Sequence, residues 1–187
     1  MSAIVSPPST RCKRQTARWS SGIFSSAALS VALVPLGTGA VAASEAECIQ
    51  LAFSGSQPPR VQPDDARALF GDVNTVRAER GLPALSGDER LSRFALQVAE
   101  QMAARHYFGH TDPAGITFQD RLKAAGVSYR VAAENMALDQ DEAHANAALL
   151  ASPGHLANIL DPRPRRLGTA VVAAGDGEVF FVEEFAD

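Results

Sequence analysis

The stretch Leu167–Phe185 reads LGTAVVAAGDGEVFFVEEF and decides the fold. Two runs rich in valine and phenylalanine, Leu167 to Ala173 and Glu178 to Phe185, flank the segment AGDGE, in which Asp176-Gly177 is a strong hairpin signal. An antiparallel strand pair therefore closes this part of the chain, and everything upstream has to be asked how it packs on that pair.

Most of what lies upstream has helical period. From Pro63, Asp64 is placed to cap a helix whose apolar positions Ala66, Leu69, Phe70, Val73 and Val76 recur at i, i+3, i+4 and i+7, with Gly81 after its end. A second helix is predicted from Ser86, where Ser86 and Glu89 form a capping box ahead of Leu91, Phe94, Ala95, Val98 and Met102. Further helices are expected from Thr117 to Ala125, from Glu142 to Leu150 and from Ser152, with an extended apolar run between them from Val127 to Leu138. Helices followed by a terminal hairpin point to the α+β class, with helices packed on an antiparallel sheet rather than a parallel βαβ sheet.

Three positions stand out chemically. RHYFGHTDPAG (Arg105 to Gly115) holds His106 and His110 four residues apart, the spacing of a metal pair on one helix face. Gly109 and Pro113 end the helix between them: Gly109 suits a left-handed position, and Pro113 keeps Asp112 out of the α region. His106 is then a last-turn helical residue, and His110 projects from a loop made stiff by the type I turn of Asp112-Pro113-Ala114-Gly115. Glu134 lies in the apolar run VAAENMAL, so it is either turned to solvent or buried with a partner, for which a histidine is the natural choice. In ASPGHLANIL, Ser152 caps a helix, Pro153 fits its first position and His155 its third, where the helix dipole favours a neutral imidazole with a lone pair to offer.

The first 42 residues differ in kind. Arg11, Lys13, Arg14 and Arg18 come with no acid, an apolar run follows from Ile23 to Val41, and Ala40-Val41-Ala42 supplies small residues at a cleavage site. This reads as a secretory signal peptide over residues 1–42, followed by a linker over 43–62 and one domain over 63–187. Serines, glycines and Pro35 within the run weaken it as a stable membrane span. With 17 basic residues less those 4, the mature chain has 13 against 21 acids, a net charge of −8. That balance argues against nucleic acid or an anionic membrane as partner. Only Cys48 remains after cleavage, so the secreted domain has no internal disulfide and depends on its core.

In order, DVNTVRAERGLPAL, FGHTDPAG, AENMA, SPGHLANIL and a final strand ending in EEFA resemble the bacterial branch of the CAP superfamily, the SCP-like extracellular proteins. The resemblance covers about residues 65 to 187 and implies a single-domain α-β-α sandwich with a central antiparallel sheet. It also implies a cleft lined by two histidines and two acids, which in some members binds Zn²⁺ or another divalent cation. Residue by residue, the histidines fall on His110 and His155 and the first acid on Glu134. The second acid does not transfer: Leu149, Leu150, Ala151 and Ser152 stand before the second Gly-His pair, leaving Asp141, Glu142 and Glu183 as substitutes. Without HExxH, paired CxxC or GxSxG there is no enzyme motif. The expectation is a secreted, non-catalytic binding module in which His110, Glu134 and His155 line a cleft for a divalent cation or a small, lipid-like ligand. A metal-dependent hydrolase using the same residues, and a structural or host-interaction protein with a vestigial cleft, are the alternatives.

Overall fold

The computed structural model describes residues 57–187, together with 13–14, 27–30 and 48–51. The predicted leader falls outside the described residues except for two short strands, β1 (Lys13–Arg14) and β2 (Ala27–Ser30). The elements that follow are β3 (Ile49–Gln50), β4 (Arg60–Val61), α1 (Pro63–Glu79), β5 (Ser86–Gly87), α2 (Glu89–Arg105), β6 (Tyr107–Phe108) and α3 (Phe118–Ala124). After these come β7 (Ala132–Asp139), α4 (Glu142–Ala151), α5 (Pro153–Ile159), β8 (Arg166–Ala173) and β9 (Val179–Ala186).

The hairpin forms as expected, β8 and β9 pairing antiparallel from Arg166↔Ala186 to Ala173↔Val179, with Gly177 at a φ of 96° in the turn. On the far side of β9 lies β7, also antiparallel, and the full order is β2-β7-β9-β8-β4, with β5 joining β8 in parallel. Three central strands of eight residues are thus assembled around the last to be made.

Alternation along these strands sends each residue to one of two helix layers. Ala132, Met136, Ala170, Val172, Phe180 and Val182 meet α2 and α3 through Leu91, Phe94, Val98, Met102, Phe118 and Leu122. Ala137, Val171 and Phe181 meet Leu69 of α1 and Leu149 of α4 on the other face, and Ala133, Leu167 and Phe185 meet Val73 of α1 and Ile159 of α5. This is an α-β-α sandwich, and each large apolar side chain buried in it contributes about 1.5–3 kcal/mol. The approach of α2 to the sheet is close because Gly168 has no Cβ: one built there would lie 2.2 Å from the backbone carbon of Leu91.

Several boundaries differ from expectation for local reasons. Helix α2 starts at Glu89, because Asp88, not Ser86, accepts from the amides of Arg90 and Leu91, while Ser86 is spent on pairing β5 with β8. Gln62, not Asp64, precedes α1, with Pro63 in its first turn. The left-handed residue after α2 is His106 (φ 52°) rather than Gly109, so His106 is the cap and not a helical residue. Ser152 does cap α5 by position, yet its side chain makes no capping hydrogen bond. The predicted linker also contributes structure: β3 pairs with β6, Leu51 donates to the His106 carbonyl, and Cys48 and Leu51 pack half-buried on the α2-side core.

Candidate functional site

The loop after α2 is built by Asp112. Its Oδ1 accepts from the amides of Ala114 and Ile116 at 2.8 and 2.9 Å, its carbonyl accepts from Gly115, and Arg105 donates to its Oδ2 at 2.6 Å. Burial would raise this carboxyl, but the Ile116 amide, Arg105 and the Ala114 amide together hold it below the usual range. The DPAG turn is therefore rigid, and it presents His110 inward, where the ring is buried.

There His110 Nδ1 donates to Glu134 Oε1 at 2.8 Å. The same carboxylate accepts from Arg121 Nη2 through both oxygens, at 3.0 and 3.1 Å. Arg121 stands on α3, whose N-terminus is fixed by a capping box of Thr117 and Asp120. Directly across the strand pair from Glu134 is Glu184 of β9, on the same sheet face. Burial pushes Glu134 upward, but the Arg121 guanidinium and the bond from His110 outweigh it, so this carboxyl is held below its ordinary value. Glu184 behaves oppositely: burial and the neighbouring Glu134 charge push it well above the carboxylate range, and neither of its buried oxygens has a hydrogen-bond partner in the protein. With Glu134 ionised, Arg121 charged and Glu184 neutral, the acids and the guanidinium cancel. Among the described residues, His110 Nε2, Tyr107 Oη and Arg121 Nε and Nη1 are buried atoms with no hydrogen-bond partner in the protein. Burial raises the Tyr107 hydroxyl to about 12, so it stays a donor.

The main-chain carbonyl of His155 joins a second polar cluster, on the sheet face opposite Glu134. Asn135, next to Glu134 and so turned the other way, donates to the His155 carbonyl at 3.2 Å and to Glu183 Oε2 at 2.9 Å. Asn158 of α5 donates to Asn135 Oδ1 at 2.8 Å. Burial raises Glu183 to about 8, partly offset by the Asn135 bond and reinforced by the charge of Asp72.

Of the three residues expected to share a cleft, His110 and Glu134 are in direct contact, and His155 sits on a helix of the other layer. Among the described residues no group of three or more His, Cys, Asp or Glu side chains is arranged to hold a metal ion. The donor set explains this, since a guanidinium already occupies both oxygens of Glu134 where a cation would bind. Arg121, Glu184 and Tyr107 were missed in the sequence. Arg121 carried a signal, being one residue from Leu122 and three from Phe118 on the apolar side of α3; Glu184 was hidden because strand register alone decides whether it or Glu183 faces Glu134.

The three-layer sandwich is the fold of CAP, or SCP-type, domains, as the solved relatives show. The profile of the cysteine-rich secretory protein family, CAP, matches residues 70–185, and the chain belongs to that family. It is 35% identical over 104 residues to YkwD of Bacillus subtilis and 27% identical over 121 residues to the membrane protein YlbC of the same organism. Those matches cover 55% and 64% of this chain but only 40% and 35% of the relatives, so the chain spans well under half of their length. Among solved structures, an extracellular SCP-domain protein of Bacillus anthracis superposes with a TM-score of 0.60 at 28% identity, over 67% of this chain and 41% of that one. An outer surface protein of Borrelia burgdorferi shares the fold, with a TM-score of 0.64 at 20% identity over 72% of this chain and 98% of that one. These neighbours are extracellular or surface proteins, and among the described residues no helix is long and apolar enough to cross a membrane.

Proposed function

We propose that this is an exported CAP-domain binding module, released from its leader after Ala42, whose site around His110, Glu134, Arg121 and Tyr107 takes a small lipid-like ligand with a polar head. One observation carries the reading: unpartnered polar atoms of His110, Tyr107 and Arg121 cluster within an apolar layer that includes Phe108, Phe118, Leu122 and Met136. Buried polar groups are normally satisfied, so an acceptor-bearing head group beside an apolar body matches both parts of the lining. Glu134 engages His110 Nδ1 and leaves Nε2 as the ring nitrogen that a polar ligand atom can meet.

The test is calorimetric binding of long-chain fatty acids, sterols and Zn²⁺ to the purified protein and to its His110→Ala and Tyr107→Phe variants. Lipid binding weakened at least about tenfold by either substitution, roughly 1.4 kcal/mol, supports the reading. Lipid binding that neither substitution alters, or Zn²⁺ binding that His110→Ala abolishes in a protein with no lipid affinity, overturns it.

A further inference from the structure

We propose that the outer edge of β7 is a strand-addition site that takes an extended apolar peptide, antiparallel, across Asn135–Leu138. The argument begins from topology. β7 has β9 on one side, and on the other its sole partner among the described residues is β2, so without the leader it becomes the edge strand of the sheet. Its sequence, AAENMALD, contains no proline or lysine to discourage pairing, and edge strands that lack such protection recruit another strand.

The chain itself shows what fits. Ala27–Ser30, AALS, pairs antiparallel with β7 in the register Ala27↔Leu138, Ala28↔Ala137, Leu29↔Met136 and Ser30↔Asn135. β2 also lies against α4 and α5, which flank β7 on the α1 side of the sheet, so the occupant is held by a ladder on one side and by helices on another. The register stops one residue short of Glu134, and a longer strand would run on beside the His110 site. Main-chain pairing supplies affinity in such sites, and small or apolar side chains at alternate positions supply selectivity. The proposal rests on the reading above only in that loss of the leader bares this edge for a peptide from another protein.

The experiment uses the full chain. Ala28→Pro and Leu29→Pro are made separately: alternate residues of an antiparallel strand point their amides at the partner, so one of the two removes a ladder donor from β2, and neither touches the domain. Hydrogen exchange of the β7 amides that face away from β9 is expected to speed up about tenfold or more in the variant that loses the donor. A synthetic peptide of residues 23–34, with lysines at its ends for solubility, should bind saturably to that variant and restore the slow exchange. The same peptide with proline at both positions 28 and 29 should do neither. Unchanged exchange in both variants, no peptide binding once the edge is bared, or binding without β7 protection would each overturn the proposal. His110→Ala combined with the donor-removing proline should still bind the peptide, so failure of the lipid reading and failure of this one are distinguishable.

Discussion

Glu134 and Asn135 are neighbours on β7, Glu184 and Glu183 are neighbours on β9, and the strand pleat divides the four into two polar clusters on opposite sides of one sheet. The cluster facing α2 and α3 has a guanidinium against its carboxylate; the one facing α1, α4 and α5 sets a carboxyl among neutral amides. The first is therefore able to hold a charge in the core, and the second holds its acid by keeping it protonated. Burial is equally complete for Glu134, Glu183 and Glu184, so the partner, and not the depth, decides the protonation state.

The largest effect should come from removing the compensating charge. Arg121→Met leaves Glu134 buried beside His110 alone and is expected to cost about 3–5 kcal/mol in urea unfolding at neutral pH. Most of that loss should be recovered when Glu134→Gln is added, and a double variant as unstable as the single one would mean that Arg121 matters for packing instead.

On the other face, pH is the lever. Glu183 titrates at about 8 when folded and near 4.5 when unfolded, so between those values the folded chain binds more protons and stability falls as pH rises. Glu183→Gln should keep the bond from Asn135 and remove this dependence, a flattening of about 1.4 kcal/mol per pH unit within the window. Glu184, Glu142 and Glu178, all raised in the same direction, supply the slope that remains. Unfolding curves collected from pH 5 to 9 that overlay for wild type and Glu183→Gln would show that the acid is not uncompensated after all.

Smaller changes sharpen the contrast. Asn158→Ala strands the Oδ1 of Asn135, a buried acceptor, at a cost of about 1–3 kcal/mol, without altering the pH slope. Thr117→Ala removes the cap of α3 and should cost about 1 kcal/mol, with a loosening of Arg121 visible as faster exchange in α3 and not in α5. Equal loosening of both helices would deny that the two faces are independent.

Much of this architecture is legible in the amino-acid sequence. The hairpin, the helical stripes and the stiff Asp112 turn depend on period and on local hydrogen bonding, which neighbouring residues carry in full. The helix starts shift by a few residues where a tertiary contact competes, as when pairing with β8 takes Ser86 and leaves Asp88 to cap α2.

What the sequence by itself determined is the set of elements and the family, and it singled out His110 and Glu134 as chemically unusual positions. Only the tertiary structure decided who meets whom. The pleat turned Asn135 to the main chain of His155 on one face and Glu134 to His110 on the other, and β9's register brought Glu184, not Glu183, to Glu134. A one-residue slip of β9 would exchange the two glutamates, because a strand turns alternate residues to opposite faces and no local pattern in VFFVEEFA says which of two adjacent acids points where.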